Sequence, residues 1–451
     1  MSYEEFFLFA FNNLSTVIIC SVLSLILYYF VYRAYIESIL DPLFLIIVFC
    51  AFATTVVFIL FIQNQIKPYY FYRYLVTEIA FILGFMLFKP INFKALTQIK
   101  DETTLFTITP KEKSIINVLF YLSSIIYVIL QLLTYYVRGI PILMESRLDV
   151  YANSGGFGIV GRIVEVTGHI TFFLLFYKLF YTKKSLIDGI YLYFTLIFCV
   201  ISLMLSGSKT SILYVVFYIF FLRIYFLRFE NSEFFKINKK LINYSNKIFL
   251  FAIIFSLIVI YIAFIFVYHA KEVNPLIPMG QRLLAAGDTY FQAFPGEVIK
   301  HLDSSNPLLY IFKEPIGTLR LAQYSDLPKD IGRELQLYHY PDSATSGPNP
   351  RYNLIGILFF GIIGQFLYPF IIGVLMSFLR NKLFYVMKKN IINALFYCCI
   401  GINLIYLPQD QPYFVGRIFN LIFILPVILI LTYFIIFIFQ KKIASFNHGK
   451  S

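Results

Sequence analysis

The sequence predicts an all-α polytopic membrane protein, and two observations lead to this prediction. Of the 451 residues, 59% are hydrophobic and 14% are charged, and the mean hydropathy is +0.77. A single water-soluble core cannot hide so much apolar surface. Apolar runs long enough to cross a bilayer also recur along the chain, and in hydrocarbon only a helix satisfies every backbone group within such a run.

The apolar runs number about eleven and predict a single integral membrane domain over residues 1–451. The predicted spans are 15–31, 42–63, 70–88, 115–136, 163–181, 187–205, 212–226, 248–268, 354–379, 391–407 and 418–439. The segment before the first span carries two glutamates and no basic residue, so it lacks the positive region of a cleavable signal peptide. We therefore expect the first helix to stay in the protein.

Basic residues predict the orientation of the spans. Loops on one side hold 22 of the 37 lysines and arginines, which by the positive-inside rule makes that side cytoplasmic and puts the amino terminus outside. The outer side then carries an Arg- and Gly-rich loop at 137–162 and a large loop at 269–353, between spans eight and nine. The cytoplasmic basic residues are Arg33 and those of the segments 89–113, 178–184, 223–247, 380–389 and the tail from 441.

Lysine and arginine are also distributed unequally between the two sides. The inner side has 18 Lys and 4 Arg, whereas the outer side has 6 Lys and 9 Arg. A planar guanidinium binds phosphate or carboxylate in a bidentate way, so the outer arginines predict an anionic ligand there. The alternative is that lysine is a compositional default and that some arginines pair with acids of the large loop.

The 137–162 loop is dense in arginine and glycine, and the span after it begins with ionisable residues. Glycines free backbone amides for an anion, although the same composition also suits an ordinary turn. Arg162, Glu165 and His169 are spaced three and four apart, which places them on one helix face just below the outer surface. Ionisable groups at that depth usually face a cavity or each other, so a structural Arg162–Glu165 ion pair is the alternative.

Two further outer segments have the composition of an anion or glycan site. The turn at 206–211 carries Lys209 among hydroxyls and suits an oxyanion, but it lacks the glycine spacing of a nucleotide-binding loop. The large loop contains Arg282, Asp288, His339 and Arg351 among many tyrosines and prolines. It leads into the Gly-rich ninth span, whose glycines predict close helix packing, and we expect the loop to fold back over a membrane-embedded cavity.

The residues that usually bind metals show no metal-binding pattern. The histidines lack a ligand spacing such as His-x-x-x-His, and all five cysteines fall inside apolar spans. We therefore predict no metal, no other cofactor and no structural disulfide.

Three short motifs carry a resemblance to a known family. Arg147 is followed after ten residues by Gly158, residues 207–209 read Gly-Ser-Lys, and 346–364 form a small-residue entry into a span. The chain resembles the Wzy-type polymerases of oligosaccharide repeat units, the O-antigen polymerases of bacterial envelopes, in these motifs and in its overall architecture. It departs from them by having lysine where many have Gly-Ser-Arg, and by lacking a second Arg-ten-Gly copy in the large loop.

The resemblance implies a metal-independent glycosyltransferase of the bacterial inner (cytoplasmic) membrane, working at its outer face. Its substrate would be an undecaprenyl-diphosphate-linked oligosaccharide, with membrane lipid and a chain-length regulator protein as further partners and no nucleic acid. A base must accept the proton of the acceptor hydroxyl, and cations must bind the diphosphate. The candidate bases are Glu165, His169, Asp288 and His339, and the candidate diphosphate or glycan contacts are Arg147, Gly158, Arg162, Lys209, Arg282 and Arg351.

Three alternative functions stay open on the sequence. A flippase for lipid-linked oligosaccharides would have internal repeats and short loops, and neither is evident. An O-antigen ligase shares the many-helix architecture and large outer loop, and differs in its acceptor. A structural scaffold would not need an arginine-rich outer side.

Overall fold

The computed structural model describes residues 1–97, 109–144, 158–182, 185–206, 209–229, 281–342 and 347–448. Within these ranges the regular secondary structure is helical and includes no β-strand, which confirms the predicted all-α class. In chain order the α-helices are α1 (Tyr3–Asn12), α2 (Leu14–Tyr32), α3 (Pro42–Ile62), α4 (Pro68–Phe85), α5 (Phe93–Thr97), α6 (Pro110–Arg138), α7 (Gly158–Tyr181), α8 (Leu186–Leu205), α9 (Lys209–Phe226), α10 (Asp288–Ala293), α11 (Pro307–Ile311), α12 (Lys313–Thr318), α13 (Ile331–His339), α14 (Arg351–Phe359), α15 (Gly361–Ser377), α16 (Leu383–Val386), α17 (Ile391–Asn403) and α18 (Gln411–His448).

The described helices make this a multi-pass membrane protein. Seven of them are long and apolar enough to cross a membrane, namely α2, α3, α6, α7, α8, the run that begins with α15, and α18. Helix α4, predicted as the third span, is not among these seven because Arg73 and Glu78 lower its mean hydropathy. Apolar stretches within α9 and in α17 are shorter, and the predicted span 248–268 lies outside the described residues.

The predicted ninth span, 354–379, is interrupted at Phe360. Helix α14 ends at Phe359, and α15 begins at Gly361, whose φ of +63° is a conformation that glycine adopts without strain. A Cβ atom on Gly364 would lie 2.4 Å from the Cβ of Phe360, so the glycines permit a sharp bend between two packed helices. The sequence predicted one continuous helix because both halves are apolar.

The chain divides into two compact units, and the first comprises Met1–Ile91, Tyr261–Met387 and Asn403–Arg417. Its central helix is α3, which is buried along most of its length and packs against α2 and α10. Helices α4 and α15 approach each other very closely. A Cβ on Gly84 would lie 2.1 Å from the carbonyl oxygen of Phe370, and one on Gly373 would lie 2.2 Å from that of Phe81. Small residues thus bring the two backbones into contact, as in many membrane helix pairs.

The second unit comprises Asn92–Ile260, Lys388–Ile402 and Ile418–Ser451. Helix α7 is its core, because every residue from Val166 to Lys178 is buried and the helix packs against α6, α8 and α9. Tyr127 of α6 lies 3.0 Å from the Cβ position of Gly168 and donates a hydrogen bond of 3.1 Å to Ser202. Aromatic side chains therefore fill the space beside small residues in this unit.

Candidate functional site

A buried carboxylate lies at the centre of the first unit. Glu78 projects from the middle of α4 and is 6% exposed. Its Oε2 accepts hydrogen bonds from the Tyr352 hydroxyl at 2.8 Å and from the Asn353 amide at 3.0 Å, and its Oε1 accepts from the Tyr28 hydroxyl. An unpartnered carboxylate is costly in an apolar interior, so these donors stabilise both the charge and the position of the segment that carries them.

A chain of hydroxyl groups extends this network across three helices. The Tyr28 oxygen is 2.8 Å from Thr54 Oγ1, which is 2.7 Å from the Tyr74 hydroxyl. Each hydroxyl has one proton, and that of Tyr28 points to Glu78, so Thr54 donates to Tyr28 and Tyr74 donates to Thr54. Such a chain strengthens cooperatively and joins α2, α3 and α4.

Asn353 connects the same network to α10. One amide hydrogen reaches Glu78 and the other reaches Thr77 Oγ1 at 2.9 Å, while the Oδ1 atom accepts from the Tyr290 hydroxyl at 2.6 Å. The amide is 1% exposed, and all its principal hydrogen-bonding groups are used. Helices α4, α10 and α14 are thereby held in one arrangement.

Arg351 is a predicted site residue that the structure places inside the protein. It is 4% exposed, with Nη2 3.5 Å from the carbonyl oxygen of Phe49 and Nη1 3.9 Å from the Cys50 sulfur. Its φ of +52° is strained for a residue with a Cβ atom, and its backbone amide donates a 2.8 Å hydrogen bond to Gln409. Strain of this kind persists only where the surroundings enforce it, and it is frequent at functional sites.

Asp288 begins α10 and is half-buried beside this guanidinium. Its Oδ2 accepts a 2.9 Å hydrogen bond from the Tyr3 hydroxyl, and its Oδ1 accepts from the Thr289 backbone amide at 2.9 Å. Burial raises the pKa of Asp288 to about 6, although Tyr3 and the charges of Arg351 and Arg282 act in the opposite direction. The carboxylate is therefore ionised at neutral pH and can still accept a proton readily.

The amino-terminal helix covers this part of the first unit. The Phe6 ring stacks on Phe291 of α10 with centroids 4.1 Å apart, and the Tyr3 backbone amide donates to the Tyr340 hydroxyl at 2.7 Å. His339 Nε2 lies 2.9 Å from the Gln292 carbonyl oxygen, so this nitrogen carries a proton and donates it. Burial lowers the pKa of His339, which keeps the ring neutral at physiological pH.

Two buried side chains of α10 have polar atoms without partners. Thr289 and Gln292 are each 0% exposed, and Thr289 Oγ1, Gln292 Nε2 and Gln292 Oε1 form no hydrogen bond with the described protein. The two residues are three positions apart and lie on one helix face. Buried polar groups of this kind are uncommon, and each unmade bond costs free energy.

The remaining predicted site residues belong to the second unit or lie outside the described part of the chain. Gly158 and Arg162 are in the first turns of α7, so this helix begins inside the loop predicted at 137–162.

Glu165 Oε2 accepts from the Asn420 amide at 3.3 Å, and buried His169 pairs through Nδ1 with the Tyr218 hydroxyl. Lys209 is the first residue of α9, and its side chain is outside the described atoms, as is the whole of Arg147.

The structure brings together three of the predicted residues, Asp288, Arg282 and Arg351. His339 lies on the neighbouring helix α13. Sequence reasoning missed Glu78 and its donors. A signal was present, because an acidic residue within an apolar span is a functional candidate by default. It also missed Tyr3, whose contact with Asp288 joins positions 285 residues apart and leaves no local pattern.

No family model, curated protein or solved structure matches this chain. The described residues include no group of three or more His, Cys, Asp or Glu side chains that could hold a metal ion.

Replacing Glu78 by alanine is expected to destabilise the first unit strongly. The donors on Tyr28, Tyr352 and Asn353 would lose their acceptor, at a cost of about 3 kcal/mol or more. Glu78→Gln retains one acceptor oxygen and should cost less. The measurement is the apparent melting midpoint in detergent, followed by size-exclusion chromatography. Asp326→Asn, which changes an exposed acid, is the control, and equal midpoints for it and Glu78→Ala would contradict the role of the network.

Proposed function

We propose that this protein polymerises undecaprenyl-diphosphate-linked oligosaccharide repeat units at the outer face of the bacterial inner membrane. The observation that carries the proposal is the half-buried Asp288 carboxylate with a pKa of about 6 beside two arginine charges. A glycosyl transfer of this class needs a base for the acceptor and cations for the diphosphate, and Asp288 with the exposed Arg282 is suited to provide one of each.

The proposed topology has about eleven spans and an outer loop at 269–353. In its described part, the α-helices α10, α11, α12 and α13 have nine residues or fewer, which is too short to cross a bilayer. The part of the chain that contains Asp288 is thus suited to lie at the membrane surface above α3 and α4 of its own unit. The diphosphate of a lipid-linked sugar also lies at the membrane surface.

In the proposed reaction the acceptor hydroxyl attacks the anomeric carbon of the growing glycan. A new C–O bond forms, the bond to the diphosphate breaks, and undecaprenyl diphosphate leaves with the electron pair. Asp288 takes the proton of the acceptor hydroxyl. Exposed Arg282 is the candidate contact for the diphosphate, and buried Arg351 stabilises the ionised Asp288 from within the protein.

Asp288 is the preferred base among the four predicted candidates. His339 Nε2 already donates to a backbone carbonyl, and His169 is buried against Tyr218. Asp288 combines partial exposure with a raised pKa, which is the combination that general-base catalysis near neutral pH requires.

Nearby side chains are suited to bind the glycan. The Tyr338 ring is 52% exposed, stacks on His301 with centroids 5.7 Å apart and contacts His339 edge to face at 5.2 Å, and its exposed part is suited to contact a sugar ring. This exposed ring supports a carbohydrate substrate more than a purely lipidic one.

An Asp288→Asn variant is expected to abolish polymerisation, because an amide cannot accept the hydroxyl proton. The measurement is a gel of surface glycan from a strain lacking this protein, complemented with wild type or variant at matched expression. Wild type should restore a ladder, and Asp288→Asn should leave a single unit attached to the lipid core. Asp303→Asn changes an exposed acid of the same segment and should restore the ladder.

Other results of this experiment identify the rival functions. Loss of every unit in the uncomplemented strain, including the single one, would contradict polymerisation and indicate a flippase or a ligase. A full ladder with Asp288→Asn would eliminate Asp288 as the base, and the same gel with Arg147→Ala then tests the diphosphate contact predicted from the sequence.

The pH dependence of the reaction follows from the raised pKa of Asp288. A base works in its ionised form, so the rate with purified lipid-linked units should rise as pH increases through about 6 and then level off. The contribution of Asp288 to the stability of the folded protein changes with pH in the opposite direction to the reaction rate. Protonated Asp288 is favoured in the folded state, so its stabilisation is present below the pKa of the unfolded chain and is lost as pH rises through about 6. A rate that is constant between pH 5 and pH 7.5 would contradict this assignment.

A further inference from the structure

The second unit contains a cavity that the proposed function does not use. Its volume is about 300 Å³, at the lower end of the range for ligand sites. The walls are the first turns of α6 and α17 and one residue of α18. Helices α6 and α18 are both long and apolar enough to cross a membrane, so a cavity at the start of α6 lies near one end of a span.

The polar side of the cavity is suited to an anion. Lys111 is exposed and forms no ion pair with a described residue. The neighbouring Glu112 carboxylate caps its own helix, accepting from the backbone amide and the hydroxyl of Thr109, each at 3.0 Å. Asn390 uses its Oδ1 to accept from the Asn393 amide at 2.7 Å, and its Nδ2 has no partner in the described protein.

The rest of the wall is apolar. Ile115 is buried, Ile392 is half-buried, and the Tyr433 ring is 45% exposed. A tyrosine beside aliphatic residues at the end of a span is typical of the membrane interface, where the ring contacts both headgroups and acyl chains. A soluble anion would gain nothing from this surface, whereas a lipid would bury its first methylene groups on it.

The surrounding charge is positive. Lys113, Lys388 and Lys389 are exposed beside the cavity walls, and Glu112 is the one acidic side chain that lines the cavity. Clusters of lysines next to membrane spans attract anionic lipids. We infer that this cavity binds the phosphate headgroup of an anionic phospholipid from the leaflet on the side of the lysine-rich loops, with Lys111 as the contacting cation.

The test is native mass spectrometry of the full-length protein titrated with phosphatidylglycerol, with phosphatidylcholine as the uncharged comparison. Wild type should bind phosphatidylglycerol in preference. Lys111→Gln should weaken that binding about fivefold. Lys113→Gln removes an equal charge two residues away that does not line the cavity, and it should change binding less than twofold.

A second variant tests the cavity without changing charge. Ile392→Trp fills the apolar side and should also reduce phosphatidylglycerol binding, and an unchanged elution profile in size-exclusion chromatography establishes that either variant is folded. Equal effects of Lys111→Gln and Lys113→Gln would overturn the inference in favour of diffuse attraction. Displacement of phosphatidylglycerol by an equal concentration of inorganic phosphate, or binding of both lipids alike, would overturn it as well.

Discussion

The first unit depends on one electrostatic constraint, the need to satisfy a carboxylate inside an apolar helix. Glu78 cannot reach water from the middle of α4, so its oxygens must be bound by protein donors. Two of these donors, Tyr352 and Asn353, lie 274 and 275 residues further along the chain. The hydrogen bonds to Glu78 therefore fix how the segment that contains Tyr352 and Asn353 packs against α4.

The consequences extend from this contact to the candidate site. Arg351 precedes Tyr352 directly, and its left-handed backbone conformation is maintained because both neighbouring contacts are fixed. Asn353 holds Tyr290, and Tyr290 belongs to the same short helix as Asp288. The raised pKa of Asp288 results from its burial, and this burial depends on the position of α10 that Asn353 and Tyr290 help to fix.

The sequence was sufficient for the parts of the fold that depend on local pattern. Hydrophobic runs predicted the helical class and most of the helices, because a helix in lipid forms all its backbone hydrogen bonds within one segment of the chain. The interruption at Phe360 was missed, since a Gly-rich bend between two apolar helices has the same hydropathy as a continuous span. Predictions at 98–108, 145–157, 183–184, 207–208, 230–280, 343–346 and 449–451 lie outside the described residues and stay predictions.

The candidate site was predictable in part. Asp288, Arg282 and Arg351 were recognised by residue type and by their position in a hydrophilic segment, and the structure groups them in the first unit. Their surroundings were not predicted, because Tyr3 reaches Asp288, and Glu78 reaches Tyr352 and Asn353 beside Arg351, through tertiary contacts that no sequence spacing records. The positions of charged residues in the sequence indicate candidate site residues. Only the tertiary structure shows which of them are buried together.

Amide hydrogen exchange of the wild type and Glu78→Gln in the same detergent tests directly whether Glu78 positions the candidate site. If Glu78 positions the candidate site, the variant should lose protection at least about tenfold at residues 288–293 and 352–357, which corresponds to about 1.4 kcal/mol of local stability. Residues 166–178 of the second unit should exchange as in the wild type. Unchanged protection at residues 288–293 would contradict this role of Glu78, because α10 would then be held by contacts other than the Glu78 network.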